Sequence, residues 1–303
     1  MFVYDELTGT KAETAVALGF FDGVHRGHRA VIGRAVEEGK NGLLPTVLTF
    51  STEHAQPARK RGMKKILTER LFLEAMENMG VEIVETPPFE GIMNLTPREF
   101  VEEVLCGCLK AKAVVCGRDF RFGKGASGDL SLLWELCGEY GIRLEAVDPL
   151  LDGGKPISST RIRQCLADGA IETANWLLGY RYSFDFEVAH GNELGRTIGI
   201  PTINQIFPEQ YLVPRFGVYA SYTDLDGRRY KSITNVGVKP TIKGNRLPLA
   251  ETHIMGVDDH LYGQNIKVSL AKFIRPEKKF ASFEELTAEI RANIDLIRDG
   301  LID

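Results

Sequence analysis

No apolar run in the sequence approaches the roughly 20 residues that a membrane-spanning helix requires. The opening MFVYDELTG has neither a basic n-region nor an apolar h-region. A cytoplasmic protein that works away from membranes is expected. Cysteine is sparse and unpatterned: Cys106, Cys108, Cys116, Cys137 and Cys165 form no CxxC pair and have no matching histidine spacing, which argues against structural zinc and a disulfide framework. With a net charge of −4 the chain lacks the basic excess of a general nucleic-acid binder. Internal repeats and low-complexity tracts are absent too. What remains is an ordinary globular composition, 44% hydrophobic and 26% charged, over 303 residues, a length that predicts roughly two domains.

The most informative stretch is Ala15 to Gly39, AVALGFFDGVHRGHRAVIGRAVEEG. Its apolar start, Ala15 to Phe21, suits a central strand buried on both faces of a parallel sheet. Asp22-Gly23 breaks that strand, and from His28 the apolar spacing turns helical, with Val31, Ala35 and Val36 on one face. Strand, glycine-bearing turn and helix start place free backbone N–H groups and the positive end of a helix dipole at the carboxyl edge of the sheet. Such a place receives phosphate. His25 and His28 bracket Gly27 at the mouth of the turn. They are either surface histidines of a plain connection or imidazoles that hold a ligand, with Gly27 letting the backbone pass close to it.

Strand-like and helix-like segments then alternate. Pro45 to Phe50, Val81 to Glu85, Ala113 to Cys116 and Leu144 to Leu150 read as strands; Thr68 to Met79, Thr96 to Lys110 and Leu130 to Tyr140 read as helices. Thr96, Pro97 and Glu99 spell a capped helix start, followed by Phe100, Val101, Val104, Leu105 and Cys108 on one apolar face. The alternation predicts an α/β N-terminal domain built on a Rossmann-like, doubly wound parallel sheet. Gly117 to Asp129, GRDFRFGKGASGD, follows a strand and carries Arg118, Arg121 and Lys124. A basic flap over phosphates suits that position better than a solvated surface loop. In Ile157 to Arg163, ISSTRIR, the hydroxyls at a helix start are either caps or, with an arginine one turn further in, a grip on a polyphosphate.

From Tyr182 the helical period gives way to alternation in FDFEVAH, GVYASYTDL, RRYKSITNVG, ETHIMGV and NIKVSLAKFI, with Asp226-Gly227 as a hairpin signal. These short strands predict a small antiparallel β-barrel with a terminal helix from Phe283 to about Arg298. Ser282 and Glu285 read as its capping box, and Leu286, Ile290, Ile294 and Ile297 as a stripe that covers the barrel.

HRGH, GRDFRFGKG and ISSTRIR, in that order, resemble the nucleotidylyltransferase module of the bacterial bifunctional riboflavin kinase/FAD synthetase family. HGNELGRTIGIPTIN from His190, NVGVKPTIKG from Asn235, AETHI from Ala250 and LYG from Leu261 resemble that family's riboflavin kinase module. The resemblance implies an FMN adenylyltransferase domain over residues 1–181 and a riboflavin kinase domain over 182–303. ATP would phosphorylate riboflavin at its ribityl 5′-hydroxyl, and the FMN so formed would attack the α-phosphate of a second ATP, giving FAD and pyrophosphate, with Mg2+ as cofactor. It also implies roles. His25 and His28 hold ATP phosphates and stabilise the departing pyrophosphate, in a nucleotide site that includes Gly19, Phe20, Asp22 and Gly27. Ser159, Thr160 and Arg163 grip the β- and γ-phosphates, and Arg121 and Lys124 close over them. In the kinase, Glu251 is the general base, Thr202 and Asn204 lie at the metal, and Gly191, Gly195, Arg196 and Thr197 form the phosphate loop. Asp119 and Asn235 are implied as flavin contacts.

Three positions depart from the family pattern. Phe20 stands where many members have asparagine, TFSTEHAQP lacks the proline before His54, and PTIN replaces PTAN. A role for His54 near FMN or adenine is therefore left open. Two alternatives remain: an adenylyltransferase with an inactive kinase module, and a flavin-binding sensor or storage protein without turnover. Small-molecule substrates are the expected partners, with neither nucleic acid nor membrane, and the oligomeric state is open.

Overall fold

A computed structural model describes the chain except residues 51–61, 192–194, 196–197 and 241–245 and the side chains of residues 239, 240 and 246. The chain divides into two compact units, Met1–Met63 with Phe72–Ser158, and Lys64–Leu71 with Ser159–Asp303.

The first unit is built on a parallel six-stranded sheet. Strands β1 (Phe2–Tyr4), β2 (Thr14–Leu18), β3 (Leu44–Leu48), β4 (Ile83–Glu85), β5 (Ala111–Gly117) and β6 (Arg143–Val147) run in the order β1-β4-β3-β2-β5-β6. All five residues of central β2 are buried, as an apolar run between two helical layers demands. The strand stops at Leu18, before the run ends, because Phe21 takes a φ of +45° and begins the turn. Helix α1 (Arg26–Glu37) buries Val31, Ile32 and Ala35, so Ile32 takes the place expected of Val36, which is only partly covered. Helices α2 (Glu69–Met79), α3 (Pro97–Glu99) and α4 (Leu130–Glu139) follow, with a two-stranded hairpin of β7 (Leu151–Asp152) and β8 (Lys155–Pro156).

The Thr96 capping box forms in both directions: Thr96 Oγ1 accepts from Glu99 N–H at 3.2 Å and the Glu99 carboxylate accepts from Thr96 N–H at 2.7 Å. The α-helix expected through Lys110 does not continue beyond α3. Phe100–Cys108 instead forms wider π-type turns, which still bury Phe100, Val101, Val104 and Leu105 in the core. Cys116 and Cys137 lie in that core, where burial pushes both thiols up to about 12 and leaves them protonated at neutral pH. No disulfide joins the cysteines, all of which are free.

In the second unit α5 (Ser159–Asp168) and α6 (Ile171–Leu178) precede a seven-stranded antiparallel sheet curled as a half-barrel. Its strands are β9 (Ser183–Phe184), β10 (Val188–Ala189), β11 (Ile203–Ile206), β12 (Gly217–Leu225), β13 (Arg228–Pro240), β14 (Arg246–Ile254) and β15 (Lys267–Arg275), in the order β10-β11-β14-β13-β12-β15-β9. Leu225 pairs with Arg228 around Asp226 and Gly227, whose φ values of +48° and +73° make the two-residue turn that Asp-Gly signals. Inside the curl, buried hydroxyls bond in series: Thr223 to Ser232 (3.0 Å), Ser232 to Ser221 (2.8 Å), Ser221 to Thr234 (2.8 Å) and Thr234 to Thr252 (2.9 Å). Helix α7 (Phe283–Leu296) and the π-type turn after it (Ile297–Leu301) cover this sheet, with Ile294 of the helix and Ile297 of the turn packed among Ile200, Val218, Ala220, Tyr222 and Ile233. Ser282 caps it as expected, but the Glu285 carboxylate accepts from Ala281 N–H rather than closing a box on Ser282.

One buried acid in the first unit has a measurable consequence. Glu85 ends β4 in register with Tyr4 and Leu48 and is 1% exposed. Burial pushes its carboxyl up to about 7, against the opposing pull of the Thr8 N–H. The folded state therefore keeps a proton that the unfolded chain releases above its ordinary value of 4.5, and stability falls as pH rises from there toward 7, by up to about 3 kcal/mol. Glu85→Gln should flatten that fall and leave the variant more stable than the parent at pH 8, read from urea midpoints at pH 5 and 8.

Candidate functional site

Between β2 and α1 the chain turns sharply. Phe21, Gly23 and Val24 take φ values of +45°, +84° and +35°; the buried side chains of Phe21 and Val24 hold this strained backbone in place. His25 then caps α1. Its extended backbone (φ −68°, ψ 171°) lets Nδ1 accept from the His28 N–H at 3.2 Å. A ring nitrogen that accepts carries no proton, so neutral His25 keeps its proton on Nε2. The rings of His25 and His28 stack with centroids 3.5 Å apart, and Phe21 sets its edge against His28 at 5.4 Å. Gly27 is needed for closeness: a Cβ there would lie 3.2 Å from His25 Cε1 and 3.7 Å from the Ile157 carbonyl. At Gly19 a Cβ would meet the Phe21 ring at 2.7 Å. Phe20 offers its carbonyl to the Thr49 hydroxyl at 3.2 Å, and Asp22 is partly buried in the turn.

Strand β5 neighbours β2, with Leu18 opposite Cys116, so the loop after β5 leaves the same carboxyl edge where the strand order reverses. This loop is folded on itself. Phe122 and Gly128 exchange both backbone hydrogen bonds, at 3.2 and 2.9 Å, and a side chain at Gly128 would strike the Phe122 ring. Arg118, Asp119, Phe120 and Arg121, with Asp129 and Ser131, line a cavity of about 400 Å³. Arg118 pairs with Asp148, and Arg121 lies 3.6 Å from Asp129. Lys124 does not line this cavity. Its N–H bonds the Leu95 carbonyl at 2.7 Å and its charge acts on Glu99.

The ISSTRIR stretch contributes to both units. Ile157 belongs to the first, where its carbonyl approaches Gly27. Ser159 and Thr160 open α5 in the second, Ser159 buried and Thr160 exposed. Arg163, one turn on, donates from Nε to the Lys64 carbonyl at 3.0 Å.

In the second unit, strand register assembles what sequence spacing leaves scattered. Asn204 on β11 faces Glu251 on β14, and Glu251 faces Asn235 on β13. Cross-strand partners share a face, so Asn204, Glu251 and Asn235 form one row on the face opposite the Thr252–Thr234 hydroxyls. A Cβ at Gly191 would collide with the Asn204 carboxamide, and one at Gly195 would collide with the Ile200 carbonyl and lie 3.6 Å from Thr202 Oγ1. These glycines let the loop close on Thr202 and Asn204. Sequence reasoning did not single out two further side chains here. His253, two residues after Glu251, donates from Nδ1 to the Pro201 carbonyl at 2.8 Å, and burial holds its pKa below the usual imidazole range. Tyr262 stacks on His190 with centroids 4.0 Å apart, and lines a small cavity with Thr202, Thr252 and Asp259. The period-2 pattern from Glu251 places His253 on the Glu251 face; nothing local marks the contact between residues 190 and 262. His54, Arg196 and Thr197 lie outside the described residues.

The His25 cap is directly measurable. In ¹⁵N-resolved spectra at pH 7.5 His25 should show a protonated Nε2 and an unprotonated, hydrogen-bonded Nδ1, and His25→Ala should cost about 1 kcal/mol through loss of the cap. An Nδ1–H tautomer would contradict the cap geometry.

Two family models match the chain, FAD synthetase over residues 8–161 and riboflavin kinase over residues 178–301. The bifunctional riboflavin kinase/FMN adenylyltransferase of Escherichia coli (strain K12) is 38% identical over 279 residues, spanning 91% of this chain and 88% of the relative. That of Bacillus subtilis (strain 168) is 35% identical over 290 residues, spanning 92% and 90%. A crystal structure of a macrolide-efflux protein from Streptococcus pneumoniae shares the fold across 98% of both chains, with 29% identity and a TM-score of 0.86. Among the described residues of this chain no helix is long and apolar enough to cross a membrane. With both family models in this order and relatives matched over most of their length, the chain belongs to the bifunctional riboflavin kinase/FMN adenylyltransferase family.

Proposed function

We propose that the protein makes FAD from riboflavin in two ATP-dependent steps, phosphorylation to FMN and adenylylation of FMN. The observation that carries this reading is the Asn204–Glu251–Asn235 row in a chain that also holds the HRGH turn at the β2/β5 crevice. The kinase is placed in residues 182–303 and the adenylyltransferase in 1–181, in keeping with family models that begin at 178 and end at 161. The substrates are riboflavin, FMN and ATP, and the cytoplasm is the proposed compartment.

In the kinase, Glu251 accepts the proton of the ribityl 5′-hydroxyl as its oxygen bonds to the γ-phosphorus and ADP leaves. Asn235, beside Glu251 in the row, contacts the flavin. Asn204, on the other side, supplies a carboxamide oxygen and Thr202 a hydroxyl. These oxygens fit magnesium, a hard cation that keeps several waters and draws most of its compensation from phosphates. When bound, magnesium neutralises phosphate charge. Gly191 and Gly195, with Arg196 and Thr197, enclose the phosphates.

In the adenylyltransferase, a phosphate oxygen of FMN attacks the α-phosphorus of ATP and pyrophosphate departs. His25 Nδ1 accepts from its own helix, so Nε2–H is the group proposed to donate to a phosphate; His28, stacked on it, is the second imidazole. Donors preset against developing charge act more strongly than water, which must reorient. Gly19, Phe20, Asp22 and Gly27 shape the turn, and Ser159, Thr160 and Arg163 hold the β- and γ-phosphates. Arg121 closes over them and Asp119 contacts the flavin; Lys124 is proposed as a second cation of that loop.

The two centres should fail separately. Glu251→Ala should slow FMN formation roughly 10²- to 10⁴-fold and leave FMN-to-FAD conversion intact. His28→Ala should lower FAD formation roughly 10²- to 10³-fold and leave riboflavin phosphorylation intact. Chromatographic time courses from riboflavin and from FMN read both steps, and loss of both activities in either folded variant would refute the two-centre reading.

A further inference from the structure

The segment Lys64–Leu71 lies within the part of the sequence matched by the FAD synthetase model but packs in the second unit. Its attachment is specific. Lys65 N–H donates to the Gln210 carbonyl and the Lys65 carbonyl accepts from Leu212 N–H, both at 2.8 Å. Thr68 caps the start of α2 by accepting from Leu71 N–H at 3.3 Å, and its hydroxyl also donates to Asp185 Oδ1. The Arg70 guanidinium donates to Asp185 Oδ2. Asp185, between β9 and β10, has a side chain only 3% exposed, and each of its carboxylate oxygens receives a hydrogen bond from this segment. A carboxylate so deeply buried becomes costly when its donors leave, so Asp185 biases the segment toward the docked position. At the other end of the same segment, the Lys64 carbonyl accepts from Arg163 Nε.

We propose that Asp185 is a positioning residue of the adenylyltransferase centre: through Thr68 and Arg70 it fixes the 64–71 strap, and the Lys64 carbonyl in turn fixes the Arg163 guanidinium for the ATP phosphates. The proposal rests on the reading of Arg163 as a phosphate ligand. It assigns to a carboxylate within the riboflavin kinase match a role in the other reaction. Losing the anchor frees the Arg163 side chain to sample other orientations, and a displacement of about 1 Å in such a clamp is enough for large losses.

The test uses the full chain and measures FMN-to-FAD conversion against ATP concentration. Asp185→Ala should raise the KM for ATP at least about tenfold while riboflavin phosphorylation, which reports a folded barrel, stays within about twofold. The strap-side pair Thr68→Val with Arg70→Met should reproduce the effect and serves where Asp185→Ala does not fold. In the decisive comparison, Asp185→Ala combined with Arg163→Ala should be no worse than Arg163→Ala alone, because residues acting through one another are non-additive. Multiplying effects would overturn the proposal, as would an unchanged KM in both the Asp185 and strap variants. If Arg163→Ala itself leaves ATP use unchanged, the assignment of Arg163 fails and the positioning role with it; a large Arg163 effect beside silent Asp185 and strap variants overturns the positioning role alone.

Discussion

A polar group taken out of water must be given a partner, and much of this structure turns on where those partners are found. At the HRGH turn the orphan N–H at the start of α1 is satisfied by an imidazole rather than by the serine or aspartate that usually caps helices. That choice fixes the ring plane and the tautomer together, so one hydrogen bond both starts a helix and sets which ring nitrogen carries the proton. Inside the half-barrel, five hydroxyls satisfy one another in series, which lets a buried face carry Ser and Thr without orphaned groups. Asp185 follows the same rule by drawing both its partners from a segment distant in sequence.

The two centres are organised by different geometries. A parallel sheet sends every strand toward the same edge, so the turns after adjacent β2 and β5 emerge side by side although about a hundred residues separate them. The residues proposed for adenylyl transfer there sit on loops and helix starts. An antiparallel sheet gathers side chains on a face: Asn204, Glu251 and Asn235 meet because three strands are in register, and a one-residue slip of any one strand would turn its member of the row to the other face. The hairpin at Asp226-Gly227 and the continuous β12–β13 ladder help pin that register.

These geometries explain what the sequence made legible. Central β2, α1, the Thr96 cap and the I′ hairpin each follow from signals within a few residues, and each is present. β1 was not legible because an edge strand of three largely exposed residues has no periodic pattern. The π-type turns of Phe100–Cys108 bury much of the apolar set that an α-helix would, so composition does not separate the two. The cavity lined by Asp119 and Arg121 was legible as a basic loop after a strand, whereas the hydrogen bond of the Lys124 N–H to the Leu95 carbonyl joins residues distant in sequence that no local signal connects. Glu251 alone reads as an ordinary strand glutamate. Its motif picked it out, and its flanking asparagines are a matter of register between strands distant in sequence.

The boundary that packing draws does not follow the boundary that motifs draw. The family models divide the chain near residues 161 and 178, while compactness divides it between Ser158 and Ser159 and assigns Lys64–Leu71 to the second unit. Residues 1–181 taken alone would therefore carry a strap whose backbone partners at 210–212 and whose carboxylate at 185 are missing. Its buried Ile66, Leu67 and Leu71 would lose part of their cover at the same time. Each lost apolar contact and each unpaired group acts in the same direction. The arrangement thus gives a physical reason for keeping both modules in one chain that is independent of any transfer of FMN between them: the fold of the first sequence half is completed by residues of the second.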